Sequence, residues 1–233
     1  MCGPQLSTSH LSPTRTVGFL GFGRIAQATL KRLSSFDLTH CIYTSNPSSP
    51  RDTALEASLA ARYNLRSVNR VDLDHLARES DVLFVLAPGG KDTRHVVNAD
   101  FLRKMKKYAV LVNAARGTLV DSDALAKALH EEWIWGAGLD VVEGEPHIGA
   151  DHPLVREPRC VLAKFRAGKK YSLITIFFSF CLCRCVIIPH IGSATFETRL
   201  GMMNLAAQNV LAGIDEEAMP AELDVASRIA PQT

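Results

Sequence analysis

Thr16-Val17-Gly18-Phe19-Leu20-Gly21-Phe22-Gly23-Arg24-Ile25-Ala26 is the stretch on which the fold turns. It reads as a buried strand running into a glycine turn and then a helix. The Gly-x-Gly-x-x-Ala spacing at 21, 23 and 26 is the fingerprint of a dinucleotide-binding unit. Gly21 permits the tight turn, Gly23 lets the backbone approach a pyrophosphate, and Ala26 is small enough for the helix to pack on the strand. The helix that opens near Arg24 aims its free amides and positive dipole end at the phosphates, and Arg24 can add a charge. Taken alone, the spacing also fits a glycine turn that binds nothing, so further motifs must decide.

Downstream, the pattern alternates. Ile25, Ala26, Ala28, Leu30 and Leu33 follow helical spacing, and Cys41 to Thr44 is a short apolar strand. Helices are expected over 53–63 and 72–78, strands over 81–87, 109–113 and 133–141, and further helices capped by Asn98 and by Asp121 or Ser122. The continuous apolar runs suit parallel strands covered on both faces. Such alternation predicts an α/β, doubly wound parallel sheet with right-handed crossovers. The second strand ends Thr44-Ser45-Asn46, with Arg51 past a proline turn. An acidic residue there would hold the ribose hydroxyls of NAD; none stands there, and Ser45, Asn46 and Arg51 are donors for a 2′-phosphate. NADP(H) is therefore preferred, with NAD(H) the alternative, and Arg51 as a solvated loop residue the bland reading.

Ligands sit past the carboxyl ends of strands in such sheets. Pro88 lies in one such loop. Three further stretches lie at strand ends: Asn113 to Gly117, Gly138 to Pro146, and Pro189 to Thr195. They bring Arg116, Glu145 and His190 to one edge. Hydride transfer to a 2-oxo acid needs those types: a guanidinium for the carboxylate, a histidine for the hydroxyl proton, and an acid to orient the imidazole. Singly, each also has a bland reading, as a surface turn, a loop charge and a satisfied core histidine; the joint pattern favours chemistry.

Composition excludes little but points consistently. The net charge of +2 and the scattered basic residues give no nucleic-acid surface, and the apolar fraction of 47% suits an ordinary core. No basic-apolar leader opens the 233 residues, so a cytoplasmic protein with free thiols is expected. Among the six cysteines, the spacing at Cys181, Cys183 and Cys185 lacks zinc knuckles, and no metal is expected.

Together these motifs resemble the D-isomer-specific 2-hydroxyacid dehydrogenases, and most of all the coenzyme domain of glyoxylate/hydroxypyruvate reductases. The resemblance rests on Gly-Phe-Gly-Arg-Ile-Ala, Asn-Ala-Ala-Arg-Gly-Thr-Leu-Val-Asp, Ala-Gly-Leu-Asp-Val-Val-x-x-Glu-Pro, Pro-His-Ile-Gly-Ser-Ala-Thr, and Met219 to Leu223. It implies that Arg116 binds the substrate carboxylate and carbonyl, His190 is the general acid and Glu145 orients it. It also implies Asp140 beside the nicotinamide amide, Ala115 and Gly192 lining the ring, a small 2-oxo or 2-hydroxy acid as substrate, and a homodimer. A non-catalytic, corepressor-like dinucleotide-binding module is the rival reading.

Two departures qualify the resemblance. Only 15 residues precede Thr16, so 1–15 reads as a remnant, 16–223 as the coenzyme domain and 224–233 as a tail, with the substrate domain largely missing. The helix from Thr195 towards Leu211 is then expected to leave apolar area uncovered. The second departure is an atypical insertion at 162–184, between two Cys-Val pairs. Its apolar run, Leu173 to Cys183, is shorter than the ~20 residues of a spanning helix, so no membrane is expected. It reads as translated intron sequence, prone to disorder or aggregation.

Overall fold

The computed structural model describes residues 15–162 and 183–221. The strands are β1 (Thr16–Leu20), β2 (His40–Thr44), β3 (Ser67–Arg70), β4 (Val82–Val85), β5 (Val110–Asn113), β6 (Gly136–Leu139), β7 (Cys160–Leu162) and β8 (Cys185–Ile187). The helices are α1 (Arg24–Leu33), α2 (Thr53–Arg62), α3 (Leu73–Glu79), α4 (Ala99–Lys104), α5 (Ser122–His130), α6 (Pro153–Arg156) and α7 (Phe196–Ile214). All eight strands join one sheet in the order β3-β2-β1-β4-β5-β6-β8-β7, and every neighbouring pair is parallel. The doubly wound expectation is met. Asn98 and Asp121 cap α4 and α5, their carbonyl-type side-chain oxygens accepting from Phe101 N at 3.1 Å and Ala124 N at 3.0 Å.

Two cores cover the two faces of the sheet. Val17 and Phe19 of β1 and Cys41 and Tyr43 of β2 pack with Ala26, Leu30 and Leu59 of α1 and α2. The intervening Leu20 and Ile42 join Leu76, Leu83, Val85, Leu111 and Leu125 on the other face. That period of two on strands buried from both sides is why the runs look uniformly apolar in sequence.

The chain falls into two compact units that divide between His190 and Ile191, inside the span 16–223 drawn from sequence as one domain. In the second unit, α7 buries none of its residues, and Phe196, Met203 and Ile214 are among those exposed. Asn209 pins the following turn, exchanging two 3.0 Å hydrogen bonds with the backbone of Ala221. Among the described residues no helix is long and apolar enough to cross a membrane.

The insertion has a more definite start than its sequence suggested. Arg159-Cys160-Val161-Leu162 and Arg184-Cys185-Val186-Ile187 are near-identical tetrapeptides, and their strands lie side by side in register, Cys160 against Cys185 and Leu162 against Ile187. Both arginines reach Glu132 Oε1, at 2.9 Å and 3.2 Å. Arg184 and then Arg159 hold that carboxyl below its usual range. Of these two strands only β8 pairs with β6, so the first copy forms the edge of the sheet and the second leads to His190. The apolar run proposed as disordered or intron-derived lies almost entirely in 163–182, outside the described residues.

Candidate functional site

Register builds the site. Thr44, Leu20, Val85, Asn113, Leu139 and Ile187 form one row across β2, β1, β4, β5, β6 and β8. With Gly192 apart, each residue singled out for binding or chemistry follows this row within a few positions, because parallel strands all present their carboxyl ends on the same edge.

The first half of the edge is shaped for a dinucleotide. Gly21 sits at φ +90°, its N–H donating to Thr44 O at 3.1 Å, and a Cβ there would lie 2.7 Å from the Ala87 backbone. Only glycine tolerates both. Gly23 caps α1 without any side-chain bond, the first turn holds no acidic residue, and nothing lies within 4 Å of where its Cβ would be. Unpaired amides of a ten-residue helix thus face open space flanked by the exposed Arg24 and Ile25, which fits a pyrophosphate. Beside it opens a cavity of about 570 Å³ lined by Gly21, Thr44 to Pro47, Leu73, Ala87 to Gly90, Asp92, Thr93 and Val96. Gly21, Ser45, Asn46 and Pro88, four residues singled out from sequence, therefore share one cavity. Leu73, Asp92 and Thr93 were missed. Asp92 and Thr93 sit in a short 3-10 turn at Lys91–Thr93, where no periodicity marks them.

The rim at 45–51 is held by side chains that no local pattern connects. Arg70 donates to Asn46 O at 2.7 Å and Ser49 O at 2.6 Å. Arg51 is engaged by the fold: Nε and Nη2 grip both oxygens of Glu56 at 2.8–3.0 Å, and Nη2 also reaches Asn69. Its charge is paired with that carboxylate while its side chain stays 45% exposed. Glu56, 5% exposed on the inner face of α2, also accepts from Tyr43 Oη at 2.9 Å and Arg70 N at 3.0 Å. Burial pushes its carboxyl up, but the bonds from Arg51, Tyr43 and the Arg70 amide outweigh this and hold it below the usual range. Burial, followed by the bond to Glu56, pushes the Tyr43 phenol up to about 12. Tyr43 stacks on Phe22 of the fingerprint with ring centroids 4.1 Å apart, which ties this network to the glycine turn.

The second half of the edge carries the chemical groups. Asn113 is 1% exposed and organises the turn after β5: its Nδ2 donates to Arg116 O at 3.0 Å and its Oδ1 accepts from Ala115 N at 3.1 Å. Arg116 leaves the turn with an exposed side chain whose Nη1 donates to Ala115 O at 2.7 Å. Asp140 donates its N–H to Asn113 O and accepts from His190 N, both at 2.9 Å, so three strand ends are linked through backbone. His190 has φ +53°, a left-handed backbone conformation. His190 Nδ1 lies 3.3 Å from Glu145 Oε1, with side chains 52% and 28% exposed. The two side chains are therefore paired, and the imidazole stays half exposed. Gly192 belongs to the second unit, in the turn where Ala194 N donates to Ile191 O at 2.9 Å.

The chain is similar to known proteins over most of its length. A glyoxylate reductase of Thermofilum pendens is 38% identical over 221 residues, covering 95% of this chain and 53% of its own length. The glyoxylate reductase/hydroxypyruvate reductase of Mus musculus is 37% identical over 223 residues, with 96% and 55% covered. The crystal structure of an NADPH-dependent glyoxylate/hydroxypyruvate reductase from Sinorhizobium meliloti, in complex with NADP and malonate, superposes with a TM-score of 0.67 at 29% identity, over 91% of this chain and 53% of that one. The chain spans about half the length of the relatives it matches. The family model for the D-isomer specific 2-hydroxyacid dehydrogenase NAD binding domain matches residues 4–167, and the chain belongs to that family.

Proposed function

We propose that this chain binds NADP(H) along the described edge and serves the reduction of a small 2-oxo acid, glyoxylate or hydroxypyruvate, to its 2-hydroxy acid. The observation that carries the reading is the 3.3 Å pairing of His190 with Glu145 on the same sheet edge as the open, uncapped start of α1. When bound, the reduced nicotinamide supplies the hydride. Gly21, Gly23, Arg24 and Ile25 would hold its pyrophosphate, and Asp140 and Ala115 would flank the reacting end. Arg116 grips the carboxylate of the 2-oxo acid in two-point fashion and polarises the neighbouring carbonyl. His190, protonated, gives its proton to the developing alkoxide, and Glu145 fixes the ring through Nδ1 and stabilises the imidazolium.

Two observations support NADP(H) over NAD(H). No carboxylate stands at the end of β2, where Thr44, Ser45 and Asn46 form the cavity wall, and the Sinorhizobium relative is NADPH-dependent. With Arg51 bound to Glu56, the phosphate donors are the Ser45 and Asn46 side chains and neighbouring amides. The test is direct: NADPH and NADH binding by fluorescence titration, then oxidation of each with glyoxylate and hydroxypyruvate. Tighter NADPH binding with turnover supports the reading. NADPH binding without oxidation in either acid leaves the non-catalytic module in its place, and absence of binding sinks both.

A further inference from the structure

The loops after β4, β5 and β6 meet at one pair of side chains that the chemistry above does not use. Glu143 lies two residues before Glu145. Its Oε1 accepts from Arg94 Nη2 at 2.7 Å, its Oε2 pairs with His95 Nε2 at 2.7 Å, and its carbonyl oxygen faces His152 Nε2 at 3.1 Å. His95 is held in turn by its backbone: at φ +49° its N–H donates to Thr118 O at 2.8 Å, two residues beyond Arg116. One residue thus grips the Arg116 turn through its main chain and the Glu145 loop through its ring. The two loops also touch directly, since Gly117 lies so close to the Val142 backbone that a Cβ would overlap it.

An exposed ion pair would carry little weight. This one differs in three respects. Glu143 is 25% and His95 32% exposed, both carboxylate oxygens are engaged, and the histidine adopts a left-handed backbone that an L-residue keeps only where its surroundings hold it. We propose that Glu143 and His95 form a positioning pair that keeps the Arg116 turn and the Glu145 loop at fixed spacing, so that the carboxylate grip and the proton donor address the same substrate. The inference rests on the 2-oxo acid reading for its purpose. Neither residue touches substrate or cofactor.

The experiment uses the full chain with Glu143→Gln, His95→Leu and His95→Gln. Amide hydrogen exchange is read first, because it needs no activity: Glu143→Gln should speed exchange at Leu119, Val120 and Glu145 at least tenfold while β1 and β2 are unchanged. Steady-state kinetics with NADPH come second. The expected result is a 10- to 100-fold fall in kcat/KM for glyoxylate, a KM for NADPH within twofold of the parent, and recovery of most of the loss in His95→Gln, which retains a donor, but not in His95→Leu. Unchanged exchange overturns the clamp whether or not the parent chain turns over. Faster exchange with unchanged kcat/KM overturns its role in catalysis. A parent chain without turnover refutes the proposed function alone and leaves the exchange result to judge the clamp.

Discussion

Replacing Glu56 should show how much the cofactor wall depends on a single buried carboxylate. In Glu56→Ala, Tyr43 Oη and the Arg70 N–H lose their acceptor, at 2.9 Å and 3.0 Å respectively, in a site where the carboxylate is 5% exposed. Each abandoned donor costs roughly 1–3 kcal/mol. Arg51 is half in water and rehydrates, so it adds little. The expected loss is about 2–6 kcal/mol, read from urea unfolding followed by far-UV circular dichroism with an unchanged m-value. Glu56→Gln keeps an oxygen for Tyr43 and the Arg70 amide but turns an NH₂ group on Arg51, and should lose roughly half as much. Because the folded carboxyl is held below its unfolded value, its stabilisation is present above the unfolded pKa and lost as pH falls through the folded one. The gap between parent and Glu56→Gln should therefore narrow below about pH 4. NADPH affinity should fall along with stability, since Tyr43 stacks on Phe22 and Arg70 holds the Asn46 rim. A loss under 1 kcal/mol in Glu56→Ala, or a Gln variant as damaged as the Ala one, would refute the reasoning.

Other outcomes follow from the same geometry. Gly21→Ala places a Cβ 2.7 Å from Ala87 at φ +90°, and should cost about 2–3 kcal/mol by thermal melting and abolish NADPH binding by titration. Removing residues 160–184 leaves Arg159 joined to Cys185, and β8 keeps its pairing with β6. The shortened chain should melt cooperatively, gain about 1–2 kcal/mol from the closed loop, and bind NADPH within twofold of the parent; a chain that no longer folds would show that β7 is structural. His190→Asn and Glu145→Gln should lower kcat by about 10²–10⁴ with NADPH affinity intact; equal loss of affinity would make them binding residues.

Local sequence physics fixed the fold. A glycine turn between a buried strand and a helix, apolar runs suited to strands covered on both sides, and capping residues such as Asn98 and Asp121 are local signals, and each was legible. That Arg116, Glu145 and His190 follow strand ends of one edge was also legible, because parallel strands deliver whatever follows them to a common edge.

Side-chain partners were not legible, because they depend on which distant residues the sheet brings opposite one another. Arg51 meets Glu56 only because α2 turns that carboxylate inward, and His95 joins Glu143 from 48 positions away. The second Arg-Cys-Val tetrapeptide could be read in sequence, but which copy completes the sheet was settled by β8 alone pairing with β6. Sequence periodicity determined most strands and helices, though not β3 or α6, and the edge to which the candidate residues are delivered. The tertiary structure decided which charges are consumed within the fold and which face the open site, since that depends on through-space distance and burial, which a linear pattern does not contain.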